Sequence, residues 1–409
     1  MAVDVILDYG ATGRLEWRSG DSAALKVYSG PSPVGDVGAE VQQALAAPLE
    51  FPRLSAALVP GDRVVLALDR GIPQLGEVLR AVWQVLAEAG IQPEDLLLLQ
   101  PASLMRREHV DPRGCLPAEI RGAVNWKIHD PATEHSTGYL ATSLAGDRVY
   151  LAREVLDADF VLPIGRMAYD PVVGYRGAAS VFYPGLSNPQ AFARAHGQGH
   201  SELRPEDDRP LRHLVDEAAW LLGVQFGVQV VPAAGRGVAS VLAGSMESTF
   251  REGRRQLDAG WRISQTERSE TVVAAVTPAD GVTSWEDVGA AIEAARGLVT
   301  RGGRIILLTD LKDLPGPGLE MVRGRQSPAD ALQPLRREAP PDLVLATQWA
   351  HAADWASIYL LSGLESDLVE DLFAIPLEHE REVGRLLEGT EDGLVIGSAQ
   401  YVHSEIIDP

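Results

Sequence analysis

Lysine is scarce in this chain of 409 residues: of its 36 Lys+Arg, only Lys26, Lys127 and Lys312 are lysines. Chemistry that needs a covalent lysine is therefore confined to three positions. Against those 36 stand 57 Asp+Glu, a formal net charge of −21, and no run of basic residues occurs. Without clustered Lys and Arg, nonspecific binding to nucleic acid or to an anionic membrane is excluded as an expectation, and a small-molecule ligand is expected instead. Cys115 is the single cysteine. It cannot form an internal disulfide, which points to a reducing, cytoplasmic setting. No 18-residue apolar run is present, and the N-terminus lacks a basic stretch followed by an apolar one, so neither a membrane span nor a secretory signal is expected. GxxxxGK[ST], HExxH and CxxC are all missing, which removes the phosphate loop, the zincin helix and the paired-cysteine site.

What is present is an ordinary globular composition, 45% hydrophobic and 23% charged, at a length that suggests two domains. Short runs of Val, Ile and Leu alternate with stretches of helical period, the pattern of an α/β fold with largely parallel sheets. The clearest unit starts at Gly61-Asp62. Residues 63–68 read as a buried strand ending at Asp69, and Leu75, Leu79, Val82 and Leu86 then recur at helical spacing up to a stop at Gly90. Residues 95–99 read as the next strand. Ligands of such βαβ units sit beyond the strand C-termini, which brings Asp69 into consideration. Further strands are expected at 149–152, 160–164, 224–231, 238–242, 272–276, 304–308, 343–346 and 394–396. Helices are expected at 189–195, 211–222, 247–257, 285–299, 328–337 and 365–373. The polar stretch 258–271 reads as the domain boundary, giving domains 1–265 and 266–409.

Taken as bare patterns, the motifs are modest. The segment Gly174-Tyr175-Arg176-Gly177 has no dinucleotide fingerprint and reads as a loop that needs positive φ. His196 and His200 form an H-x3-H pair, a metal-ligand spacing on a helix, but the intervening Gly197-Gln198-Gly199 argues against a regular helix. His129-Asp130 is either an imidazole oriented by its neighbour's carboxylate or an ordinary turn.

The order of several segments resembles the lactate racemase family, whose known members use a nickel-pincer nucleotide. They are Leu7-Asp8-Tyr9-Gly10, the strand from Gly61, His129-Asp130, Ala158-Asp159-Phe160-Val161-Leu162-Pro163-Ile164-Gly165, Gly174-Tyr175-Arg176-Gly177, Tyr183-Pro184-Gly185 and Arg301-Gly302-Gly303-Arg304-Ile305-Ile306-Leu307-Leu308. The resemblance implies two α/β domains with an active site in the cleft between them. It further implies a cofactor site around Asp69, Arg70, Gly174, Arg176, Gly177 and position 180. Family members carry a motif similar to H-x3-G-[FY]-S-G-G-x-K, in which the histidine is catalytic and the lysine is linked to the cofactor. On this chain the histidine falls on Asp170 and the lysine on Ser180, which cannot form that link. The nickel-ligand histidine falls on His196. The second catalytic histidine falls on Leu104, and a substrate-binding lysine of the second domain falls near Ala290.

Racemising a 2-hydroxy acid by reversible hydride transfer needs a base on each face of the planar intermediate. Leu104 cannot serve, and Asp170 could do so only with a raised pKa. Three readings follow. In the first, a lactate-racemase-like protein binds a small anionic ligand with racemase activity altered or lost. In the second, an active racemase or epimerase holds the nickel-pincer nucleotide noncovalently, with His196 on nickel and Asp170 as base. The third is unrelated metal-dependent chemistry at His196 and His200. An anionic ligand must be held locally against the overall field, with Arg70, Arg166 and Arg176 as the candidates.

Overall fold

The computed structural model describes residues 4–18, 25–102, 109–195, 197, 199, 202–388, 390 and 392–407. The chain forms two compact units, both discontinuous in sequence. One comprises Ser32–Pro232 and Gly237–Asp258, and is called the central unit after its place in the chain. The other, the terminal unit, comprises Met1–Pro31, Ala233–Arg236 and Ala259–Pro409.

The central unit is built on a six-stranded sheet in the order Val238–Ser245, Phe226–Pro232, Phe160–Arg166, Val64–Leu68, Leu96–Pro101, Asn125–His129. The first two pair antiparallel; every other neighbouring pair is parallel. Val64–Leu68 is buried along its whole length, as a strand covered on both faces must be, and this explains its unbroken apolar run. Its side chains alternate between two cores. Val64, Leu66 and Leu68 pack with Val78, Leu79, Val82 and Leu86 of the helix Leu75–Glu88. Val65 and Ala67 face Phe182, Leu214 and Ala218 on the other side. Gly90, at φ +90°, follows the helix end, and Asp36 caps the helix Val37–Ala46 by accepting from the Ala39 N–H at 2.9 Å.

The terminal unit has a fully parallel six-stranded sheet in the order Ala374–Leu377, Ser357–Leu361, Val299–Leu308, Ser269–Ala275, Gly393–Ile396, Leu25–Tyr28. A Ser284/Asp287 capping box starts its long helix Trp285–Leu298. Among the described residues no helix is long and apolar enough to cross a membrane.

Two differences from the expected elements are informative. Residues 343–346 are not a strand; they open the helix Leu343–Trp355, and the strand lies farther on, at Ser357–Leu361. Four apolar residues have no period of their own, so Leu-Val-Leu-Ala fits either state until its length is known. The units also do not follow a single cut at 265/266. Leu25–Tyr28 is an edge strand beside Gly393–Ile396. Val5, Leu7 and Leu15 pack with Val273, Ile306 and Val395, so the first 31 residues group with the C-terminal part of the chain. The stretch 258–271 is no linker either: the crossing between Asp258 and Ala259 falls inside the helix Met246–Trp261, which leads directly into the strand Arg262–Gln265.

Candidate functional site

Three segments of the central unit meet at the carboxyl edge of its parallel strands, where doubly wound sheets place their ligands. Asp69 directly follows Val64–Leu68, and its N–H donates to the Ile164 carbonyl at 2.9 Å. The side chain is 1% exposed and receives both arms of one guanidinium: Arg176 Nε donates to Oδ2 at 3.0 Å and Nη2 to Oδ1 at 2.7 Å. Burial alone would push the Asp69 pKa up. The Arg176 charge and hydrogen bonds, the Arg70 backbone N–H and the Arg166 charge outweigh it, and the carboxyl is held below the usual aspartate range. Arg70 reaches the other way and donates through Nη2 to the Ala102 carbonyl, just past the strand Leu96–Pro101. Gly71, at φ +60°, lies close to Arg166: a Cβ there would stand 3.0 Å from Arg166 Nη1.

Arg176 is delivered by a short hairpin, Ala168–Asp170 against Gly174–Arg176. Its turn is closed by Asp170, whose Oδ1 accepts from the Val172 N–H at 2.8 Å and the Val173 N–H at 2.9 Å. Oδ2 lies 3.9 Å from Arg176 Nη1. Gly174 has φ +77°, and a Cβ would fall 2.2 Å from the Pro205 carbonyl oxygen, so both the backbone and the space require glycine here. The hairpin is anchored by Asp258. Tyr169 donates to its Oδ1 at 2.9 Å, and Tyr175 lies 2.9 Å from each of its oxygens. Nothing in the sequence marks Asp258 for this role, because its partners lie 89 and 83 residues away.

Beyond the hairpin, Gly177 leads into the buried helical turn Ala178–Val181. The Ala178 N–H donates to Gln229 Oε1 at 2.9 Å. Ser180 is 3% exposed; its Oγ accepts from the Gly177 N–H at 3.4 Å and from Arg212 Nη1 at 3.5 Å. Arg212 also donates to the Tyr175 carbonyl at 3.1 Å. Gln229 and Arg212, like Asp258, were not among the residues the sequence singled out.

The structure thus brings Asp69, Arg70, Arg166, Asp170 and Arg176 into one neighbourhood, with Gly174, Gly177 and Ser180 in its supporting turns. His196, His200 and Leu104 lie outside the described residues. Among the described residues no group of three or more His, Cys, Asp and Glu could hold a metal ion. Ala290 sits in the helix Trp285–Leu298 of the terminal unit. None of the three lysines enters the neighbourhood: Lys127 pairs with Glu154, Lys26 lies in the strand Leu25–Tyr28, and Lys312 is exposed in the terminal unit. At His129-Asp130 the turn is what forms. Asp130 accepts from the Ala132 N–H at 2.9 Å and the Thr133 hydroxyl at 3.1 Å, while the buried His129 ring places Nε2 2.8 Å from the Ser187 carbonyl oxygen.

Residues 12–205 match the family model of the lactate racemase N-terminal domain. The structure of the lactate racemase apoprotein from Thermoanaerobacterium thermosaccharolyticum aligns over 98% of this chain and 100% of that one, with TM-score 0.76 and 14% identity. A crystal structure of a Thermotoga maritima protein aligns over 93% and 100%, with TM-score 0.70 and 13% identity. No curated protein matches in sequence. At such identities the structural likeness is one of fold, and the segment match is a likeness to the family's N-terminal domain. Residues 12–205 are thus similar to the lactate racemase N-terminal domain, and over nearly its whole length the chain carries the fold of the lactate racemase apoprotein.

Proposed function

We propose that this protein binds a small anionic ligand, a 2-hydroxy acid or a nucleotide-type molecule, at the carboxyl edge of the central sheet, and that racemase activity is altered or lost. The observation that carries the reading is Ser180. The family's nickel-pincer nucleotide, when bound, supplies the hydride acceptor, and in the family it is linked to a lysine at this position. Here a serine stands there, 3% exposed, with its oxygen on the Gly177 N–H and Arg212. The residues present do not fit the lysine-linked group, because a serine hydroxyl cannot form the lysine link. Asp170, at the position of a catalytic histidine, is likewise engaged: Oδ1 closes a turn with two backbone N–H groups. A carboxylate that holds its own hairpin together is poorly placed to exchange protons with a substrate.

What the neighbourhood offers is fixed positive charge. Arg70, Arg166 and Arg176 stand with Asp69 and Asp170 at this edge, in a chain whose net charge is −21. The buried carboxylate of Asp69 takes both Nε and Nη2 of Arg176 and so fixes the orientation of that guanidinium at the strand edge. A cytoplasmic location, expected from the single cysteine, belongs to the same proposal.

Calorimetric titration with L-lactate, D-lactate and AMP tests this directly. At least one should bind, about tenfold more weakly in Arg166→Gln, while protein produced with the cofactor-synthesis enzymes leaves L- and D-lactate unconverted. Binding of none of the three, or sustained lactate racemisation, would overturn the proposal.

A further inference from the structure

A cavity of about 480 Å³ opens elsewhere in the central unit, lined from the strand Arg148–Ala152 and the helices Pro189–Ala195 and Pro210–Leu221. Its volume lies in the range of small-molecule sites, roughly 300–1,000 Å³, and none of its lining residues belongs to the Asp69–Arg176 neighbourhood. Leu214 and Tyr183, both nearly inaccessible, give it an apolar floor.

The rim is polar and has a definite charge order. Arg194 Nη1 lies 2.6 Å from Asp147 Oδ1, and the same guanidinium hydrogen-bonds the Tyr183 hydroxyl. Arg194 is thereby fixed and neutralised. Asn188 uses its Oδ1 to accept from the Ala191 N–H at 2.9 Å, which leaves its amide N–H groups as donors. The Arg148 side chain has no hydrogen bond or ion pair among the described residues. Two arginines against one aspartate leave one positive charge at a donor-rich rim, in a molecule that is otherwise strongly acidic. At contact such a rim complements a single negative charge.

We propose that this pocket is a second binding site, for a monoanionic organic acid with a short aryl or alkyl body. Its carboxylate is held by Arg148 and the Asn188 amide, and its body lies on Leu214 and the Tyr183 ring. The pocket is separate from the carboxyl-edge site and does not depend on how that site functions.

The test is calorimetric titration and saturation-transfer NMR of the full chain with 4-hydroxyphenylacetate, using the neutral 4-hydroxyphenylacetamide as control. The acid should bind, and the amide at least about tenfold more weakly. Arg148→Gln should weaken the acid by about tenfold, and Gln190→Trp, placed on the exposed rim to fill the opening, should abolish binding. Arg166→Gln, at the carboxyl edge, should leave it unchanged. Absence of acid binding, equal binding of the amide, or binding that survives both Arg148→Gln and Gln190→Trp would overturn the proposal. Loss in Arg166→Gln with retention in Arg148→Gln would assign the acid to the carboxyl edge and overturn it equally.

Discussion

Asp69 shows how much one residue can carry at a strand end. Its carboxylate is out of water and receives both arms of Arg176, so replacing it leaves a guanidinium with no matching charge. Asp69→Asn should cost about 2–4 kcal/mol of stability, most of it the penalty of the orphaned arginine, measured by urea denaturation. The same pair makes a pH prediction. The folded-state pKa lies below the unfolded one, so the stabilisation is complete above the ordinary aspartate range near pH 4 and is lost as pH falls through the lower folded-state value. The acid limb of the stability curve should be shallower in Asp69→Asn than in the wild type; identical limbs would contradict the assignment. His129 makes a second prediction. Burial lowers its pKa, and its Nε2 faces a carbonyl oxygen, which can only accept. The ring is therefore neutral with the proton on Nε2, and stability falls as pH drops from about 6.5 toward the depressed folded value, because the unfolded chain takes up the proton first. Nitrogen-15 NMR at pH 6.5 should show this tautomer; a proton on Nδ1 would contradict it.

At the scale of elements, the hairpin Ala168–Asp170 and Gly174–Arg176 is the device that turns a strand end into a site. Gly174→Ala meets both a positive φ and a carbonyl at 2.2 Å, and should destabilise by at least about 2 kcal/mol while displacing Arg176. A fall in thermal midpoint together with weakened ligand binding would show this, whereas wild-type behaviour would mean the turn is not rigid. The strand Val64–Leu68, the helix after it and the placement of Asp69 were legible in the sequence because a βαβ unit is a local pattern with a fixed exit point. The anchoring of the hairpin was not. Asp258 meets Tyr169 and Tyr175 only once Met246–Trp261 has folded beside them, and no local period records a contact across more than eighty residues. The helix at Leu343–Trp355 was misread for the opposite reason, as its first four residues carry too little period to choose a state.

At the scale of the whole molecule, two α/β units with parallel sheets followed from the alternation of elements, but their boundaries did not. A parallel edge strand can come from anywhere in the chain, and Leu25–Tyr28 joins a sheet whose other strands all lie beyond residue 268. A fragment spanning 266–409 lacks that strand, and lacks Arg262–Gln265, the partner of His403–Ile406. It should show no cooperative thermal transition by calorimetry; a sharp one would contradict the discontinuous unit. The family's scaffold is thus retained, while its chemistry is put in question at single positions. That claim meets its most direct test in the intact mass of the protein produced together with the cofactor-synthesis enzymes. The account predicts an unmodified chain, because Ser180 cannot form the family's link and none of the three lysines stands in its place. A covalent adduct carrying nickel would contradict it.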